Sequence, residues 1–412
     1  MALVVQKYGG SSVGGAERIL RVARRVAETR AAGHDVVVVA SAIGDTTDEL
    51  LDLANRVSRA PGPPRELDML LSSGERVANA LLAIALTDLG LPACSLSGPQ
   101  AGVFTTGDHG RARIVDVLPT RVRQELDRGQ VVLVAGFQGL SKDTDDVTTL
   151  GRGGSDTTAV ALACALRADV CEIYTDVDGV CSADPRIVPT ARLLERVSYA
   201  EMLELAANGA KVLMPRSVEY ARRHGVALHV RSSFTTDPGT LVAGDPEEST
   251  VEKPAVTAIA HDRGAALVTV AGLPGHVAGV LRVLADTEVE VDMPVRGGAD
   301  LSFTVPRAMA EAAVSALRAH RADLGFTSVT ADAGIGKISV VGAGVKAGVA
   351  ATFCAVLADH GVAIDLLTTS ELRISALCRE VDLDRAVRAL HEAFELGSSD
   401  PAVVYAGSGR GW

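Results

Sequence analysis

Aromatic side chains are scarce in this 412-residue chain, at 3%, with a single Trp. A core without them has to be filled by Val, Leu, Ala and Ile on strands and helices, and an apolar fraction of 47% excludes disorder as the main state. Cationic residues are in the minority, 40 Lys and Arg against 51 Asp and Glu, so the net charge of −11 argues against sequence-independent attraction to nucleic acid. The six cysteines (Cys94, Cys164, Cys171, Cys181, Cys354, Cys378) lack C-x-x-C spacing, which points to reduced core thiols rather than disulfides or a zinc site. No basic leader precedes the first apolar strand and no 18-residue apolar run follows, so a soluble, cytoplasmic protein is expected. Neither a Walker A string nor GxGxxG is present, and the histidines form no HExxH or Ser-His-Asp pattern, so hydrolase readings have no support.

What is present is an alternation. Short apolar runs at Ala2–Gln6, Val36–Ala40, Val131–Val134, Val170–Tyr174 and Val226–Val230 read as buried parallel strands, with amphipathic helices such as Ala16–Arg30 and Asp156–Arg167 between them. Right-handed crossovers then give a doubly wound α/β sheet whose ligands bind beyond the carboxyl ends of the strands. The stretch from Asp237 to Pro254 has linker composition. After it, Leu267–Gly272, a helix ending near Asp286, Val289–Asp292 and Leu301–Thr304 recur as Ile338–Gly342, a helix ending near Asp359, Val362–Asp365 and Leu372–Ser375. Such a repeat predicts two tandem βαββαβ units of ferredoxin-like type.

Residues able to do chemistry cluster where strands end and helices begin. In Lys7-Tyr8-Gly9-Gly10-Ser11-Ser12 the glycines let backbone N–H groups approach phosphate oxygens, a following helix adds its positive end, and Lys7 supplies a charge; the alternative is a tight turn with a snorkelling lysine. In Gly151-Arg152-Gly153-Gly154-Ser155-Asp156, Arg152 offers a planar fork for a carboxylate, with Ser155 and Asp156 expected at a helix N-cap; a mere cap needs neither three glycines nor an arginine. Glu75 is able to neutralise an ammonium, or simply to complement its helix dipole. Ser41 and Thr47 offer hydroxyls to a carboxylate or cap the next helix. Tyr174-Thr175-Asp176 and Asp184-Pro185-Arg186 are turns suited to nucleotide, and Lys211, expected to head another helix, suits a phosphate because the helix dipole disfavours an unaccompanied cation there.

Taken together, Lys-Tyr-Gly-Gly-Ser-Ser at 7–12, Ser-Gly-Glu-Arg at 73–76, Gly-Arg-Gly-Gly-Ser-Asp at 151–156, Tyr-Thr-Asp-Val-Asp-Gly-Val at 174–180 and Ala-Asp-Pro-Arg at 183–186 resemble the aspartate kinases, closest to the actinobacterial type and over nearly the whole chain. The resemblance implies an amino-acid-kinase catalytic domain over 1–245 and ACT-type modules over 246–330 and 331–412. It implies ATP-dependent phosphorylation of the β-carboxylate of L-aspartate, the first step towards lysine, threonine and methionine. By the same resemblance Lys7 and Lys211 bind the ATP phosphates, with Asp156 orienting Lys7. Gly9, Gly10, Ser11, Tyr174, Thr175, Asp176, Asp184 and Arg186 complete the nucleotide site, and Ser41, Thr47, Glu75, Arg152, Gly153 and Ser155 hold aspartate. Mg²⁺ is carried mainly by the nucleotide, with no protein metal site. No general base is needed, because the attacking carboxylate is already ionised near neutral pH. ACT modules imply amino-acid effectors and a homo-oligomer.

The modules depart from the family pattern. Leu273-Pro274-Gly275-His276 stands where the family usually has Asp-Lys-Pro-Gly, Pro294 and Arg296 replace apolar and glutamine positions, and Ala363 replaces a frequent asparagine. These loops are where the family binds lysine and threonine, so reduced feedback inhibition is expected. Two other readings remain open at this level: a catalytically silent amino-acid-binding partner, and a kinase of the same fold for another acid such as glutamate.

Overall fold

The valine run Asp35–Ala40 shows why the central sheet forms. Val36 and Val38 join a cluster with Ile19, Val22, Val26 and Leu82, whereas Val37 and Val39 join another with Val160, Leu162 and Ala163. A strand that feeds two cores in alternation has helices on both faces, and this explains its unbroken apolar sequence. The computed structural model describes residues 1–58, 62–244, 255–398 and 404–405. All five expected strands fall in one eight-stranded sheet, ordered Arg196–Ser198, Thr240–Ala243, Leu228–Ser232, Val170–Thr175, Leu3–Tyr8, Asp35–Ala40, Val131–Ala135, Ala93–Leu96. Every neighbouring pair is parallel except Leu228–Ser232 with Thr240–Ala243. Leu3–Tyr8 sits at the centre between Asp35–Ala40 and Val170–Thr175, so the crossovers leave it in opposite directions and a crevice opens at Tyr8, Ala40 and Thr175. The helix Gly154–Leu166 is buried all round, as its lack of a polar face requires.

The sequence reading missed a small sheet of Ile114–Val117, Val103–Thr105, Gln138–Ser141 and Val147–Thr149, whose strands are three or four residues long. The helix whose dipole Glu75 was expected to complement begins eleven residues earlier and spans Pro64–Asp88, which places Glu75 mid-helix; it is the one helix among the described residues long and apolar enough to cross a membrane. Here that helix is packed in the domain, and its buried residues include Asp68, Ser72, Glu75 and Asn79.

The two ACT-like modules are not in tandem. One sheet is contiguous in sequence (Asp292–Gly297, Asp300–Pro306, Ala265–Ala271, Ser328–Asp332). The other pairs Ile335–Val341, Arg373–Arg379 and Leu366–Thr369 with Ala258–Asp262, a strand that precedes the first module. The first module is thus inserted in the second. All seven residues of Ile335–Val341 are buried and need a partner on both edges. After the helix Leu383–Ala393 the chain instead turns back towards the catalytic domain, bridging Gly397 to Ala191 and Val404 to Val177. In the first module, the strand expected at Val289–Asp292 begins only at Asp292, after a turn in which Glu288 has φ +58°. The linker expected over 237–254 lies, beyond residue 244, outside the described residues.

Candidate active site

Lys7 is the penultimate residue of the central strand, and its Nζ lies 2.6 Å from Asp156 Oδ1, an ion pair off the line of a well-directed hydrogen bond. Both side chains are about nine-tenths buried, 12% and 11% exposed. Asp156 stands in the first turn of Gly154–Leu166, but the N-cap is Gly153, and neither Asp156 nor Ser155 caps the helix. The expected cap is therefore absent, and the carboxylate is spent on Lys7. The glycine turn after Lys7 closes on its neighbours: Gly9 N donates to Tyr174 O (3.3 Å) and Gly44 N to Gly10 O (3.1 Å). A Cβ on Gly10 would lie 2.9 Å from Gly44 O, so only glycine fits. A four-residue 3-10 turn, Gly10–Val13, separates this turn from the long helix, which begins at Ala16 rather than directly behind Ser11.

The second glycine turn is held with equal closeness. Gly153 has φ +66°, and a Cβ there would lie 2.0 Å from Met214 Cγ; Gly151 has φ +73°, with Gly110 O 3.1 Å from where its Cβ would be. Arg152 projects from between them. Across the crevice, Glu75 is 3% exposed, accepts Ala42 N through Oε1 (3.1 Å), and has no hydrogen-bond partner on Oε2. Burial pushes its carboxyl up to about 7, although the Ala42 N–H works the other way. Ser41 follows the strand Asp35–Ala40, with its N–H on Tyr8 O, and Thr47 stands in the first turn of Thr46–Val57, so both lie on the loop that Glu75 grips.

Some of the expected nucleotide residues are placed otherwise than the sequence suggests. The ring of Tyr174 is 2% exposed, stacked on Tyr8 (centroids 4.7 Å apart) and bonded to Glu172 at 3.0 Å, so it faces the interior and only its carbonyl reaches the glycine turn. Lys211 does not head a helix: Pro215, with its fixed φ, starts Pro215–His224 four residues later, and Lys211 lies exposed in the preceding turn. Asp184 and Arg186 pair with each other (3.1 Å), and the surrounding Ala183, Ile187 and Val188 pack into the core of the second module, which sets their position. Thr175 and Asp176 do lie beside the glycine turn, Thr175 Oγ1 bonding Asp176 Oδ1 at 3.1 Å, and Tyr405 N, outside any expected site, donates to Asp176 O (2.9 Å). Asp68 was also missed; its signal is a place seven residues before Glu75, on the same face of one helix.

A doubly wound sheet with a lysine–aspartate pair and two glycine turns at its switch point, followed by paired βαββαβ modules, defines a kinase of the amino-acid-kinase class with ACT modules. The model of the amino acid kinase family matches residues 2–232, and that of the ACT domain residues 338–394. The chain belongs to the aspartokinases. It is 60% identical to the aspartokinase of Mycolicibacterium smegmatis and 58% to that of Corynebacterium glutamicum, in each case over 100% of both chains. Those alignments run to 422 positions against 412 residues here, so at least ten of the aligned positions have no residue in this chain. Among solved structures, E. coli aspartokinase III in complex with aspartate and ADP (R-state) is similar at TM-score 0.83 and 26% identity, covering 95% of this chain and 99% of that one. The same enzyme in complex with lysine and aspartate (T-state) is similar at TM-score 0.73.

Proposed function

We propose that this aspartate kinase binds ATP over the Lys7–Ser11 turn and L-aspartate between Glu75 and Arg152, and transfers the γ-phosphoryl group to the β-carboxylate. The observation that carries the reading is the Lys7–Asp156 pair: a first-turn acid of the buried helix holds a lysine at the switch point of the sheet. Lys7 and the backbone N–H of Gly10 face the phosphates, with Gly9 held beside them by its own bond to Tyr174 O, and Lys211 and the Thr175–Asp176 turn close the nucleotide side. Ser41, Thr47, Gly153 and Ser155 line the acceptor side. Mg²⁺, bound through the nucleotide phosphates, would neutralise part of the developing charge. The residues here contribute by placing two anions in line and by offsetting their repulsion, because the ionised acceptor needs no base. A cytoplasmic enzyme that assembles through its ACT modules goes with this reading, and sedimentation of the purified protein checks the assembly.

Arg152→Lys separates the two sides of the site. Lysine keeps the charge but loses the bidentate fork, so the KM for aspartate should rise by roughly tenfold with that for ATP nearly unchanged. An equal rise in both, measured by coupled ADP release, would put Arg152 on the nucleotide.

The raised carboxyl of Glu75 gives a pH dependence with a definite sign. Only its ionised form pairs with the substrate ammonium, and its value near 7 means that protonation competes below neutrality. The KM for aspartate should therefore climb as pH falls, by roughly tenfold between about pH 8 and about pH 6, and level off above neutrality. Glu75→Gln should raise the KM at every pH and flatten the profile; a variant whose slope matched the wild type would assign the titration to another group.

A further inference from the structure

Asp68 is 1% exposed and lies one turn inside the helix Pro64–Asp88. Its carboxylate bonds His109 Nδ1 at 2.7 Å, receives Gly110 N at 3.1 Å on each oxygen, and receives the hydroxyl of Thr149. Every described contact brings a donor to it, so it has little capacity left for a ligand and does not touch substrate. What those donors have in common is their place in the chain. Thr149 ends the strand Val147–Thr149 and is three residues before Arg152; Gly110 O lies against Gly151. Thr149 O in turn accepts Ala112 N (2.9 Å), which ties the two loops together. Seven residues, or roughly 10 Å, along the same face of the helix stands Glu75.

We propose that Asp68 is a positioning residue of the acceptor site: it fixes the turn carrying Arg152 to the helix carrying Glu75, and so sets the spacing at which the carboxylate and ammonium ends of aspartate are read. The inference rests on the assignment of Arg152 and Glu75 to the acceptor made above. On its other flank the Arg152 turn is met by Met214 against Gly153 and by the Arg216 guanidinium, which donates to Leu150 O (3.4 Å) and Ala112 O (3.2 Å); these contacts tie it to the helix Pro215–His224, not to the helix that carries Glu75. Gln138, the ladder partner of Thr149, is bonded to the same helix through Ser72 O (2.8 Å) and Arg76 Nε (3.1 Å), one and two turns beyond Asp68; it anchors the neighbouring strand, whereas Asp68 takes the side chain of Thr149 itself. A carboxylate suits the task where an amide does not, since an amide NH₂ would confront the N–H of Gly110.

The test is the full-length Asp68→Asn variant, with aspartate and ATP varied in turn. The KM for aspartate should rise at least about tenfold, as expected when charge-assisted bonds that orient a binding group are lost, and the KM for ATP should stay within about twofold. Thr149→Val removes one donor and leaves the carboxylate; it should raise the KM for aspartate by roughly threefold or more, and the double variant should be no worse than Asp68→Asn alone. A lowered melting midpoint with both KM values unchanged makes Asp68 a purely structural residue and overturns the proposal, as does an equal rise in both. If Asp68→Asn does not fold, Thr149→Val decides by the same criterion. Arg152→Lys is run in parallel: if it leaves the KM for aspartate unchanged, the acceptor assignment falls and this inference with it, whereas a selective rise there beside an unaffected Asp68→Asn overturns this inference alone.

Discussion

Lys7→Ala and Asp156→Ala should each leave well under a tenth of wild-type turnover, with a loss of roughly a hundred- to a thousandfold, or about 3–4 kcal/mol. That is the scale found when one preorganised charge is taken from a site where phosphoryl or oxyanion charge develops. The structure adds a cost that a surface turn would not carry. Lys7 lies in the central strand and Asp156 in a buried helix, and each is the other's counter-charge at 2.6 Å. Removing either partner strands a nearly buried charge, so the melting midpoint should drop by several degrees while the fold persists. Because the two act as one unit, the double variant should be no slower than the worse single one. Steady-state turnover and a thermal melt on each protein check the three statements, and a single variant with more than a tenth of wild-type activity would refute the role given to the pair.

Five of the eight strands of the central sheet were legible because each is a short, largely apolar run, clearest in the valines of Asp35–Ala40, a pattern that depends on local sequence alone. The glycine turns were legible for a related reason: at Gly10 and Gly153 a side chain would overlap a neighbour, and only glycine meets that demand. What escaped reading depends on contacts distant in sequence. Ala258–Asp262 joins the second module because Ile335–Val341 lacks a partner on one edge, a need set 75 residues downstream. Tyr174 reads as a polar residue in a nucleotide turn, yet its hydroxyl is claimed by Glu172 two residues earlier in the same strand, with Gln6 and Arg231 bound to that same carboxylate. Asp68 gives no local sign of its partners, because Gly110 and Thr149 lie 42 and 81 residues away in sequence.

The regulatory half is anchored to the site by polar contacts, not merely tethered to it. Asn208, fully buried, accepts from Ser339 of the second module (3.1 Å), and Gly209 is pressed against His261 O four residues before Leu213 enters the catalytic core. Lys211 and the Met214 that meets Gly153 lie on this same loop. Lys337 pairs with Asp292 of the first module at 2.8 Å and reaches Ala207 O at 3.4 Å. On the nucleotide side, Ser182 bonds His391 Nε2 (3.0 Å), a histidine that burial holds below its ordinary value, hence neutral near pH 7. A displacement of the second module would therefore be felt at the Gly153 turn through Met214, and the effector response of the enzyme depends on whether the module loops still hold an amino acid.

Lysine and threonine together, at several millimolar, should leave most of the activity intact. An ACT loop holds an amino acid through a few charged hydrogen bonds, and here the expected partners are gone: Gly275-His276 supplies no acid for the ammonium, and the exposed Ala363 no amide for the carboxylate. In the first module two backbone N–H groups of this loop are already taken. Gly272 N is bonded to Asp300 Oδ1 (2.9 Å) and Leu273 N to Ala299 O (2.7 Å), while Arg296, a departure from the family pattern, folds its guanidinium onto Leu273 O and Gly298 O at 3.2 Å each. The loop is closed on itself by the residue that replaced the family's glutamine. Each unmade charged bond costs roughly 1.5–3 kcal/mol, or about ten- to a hundredfold in affinity, so two of them move a micromolar effector to millimolar or weaker. Titrating turnover with lysine, threonine and their mixture decides the matter, and strong concerted inhibition below a millimolar would mean that the closed loop opens to its ligand. With Arg296→Gln restoring the family residue, the carbonyl of Leu273 would be released, and any residual response should sharpen in that variant first.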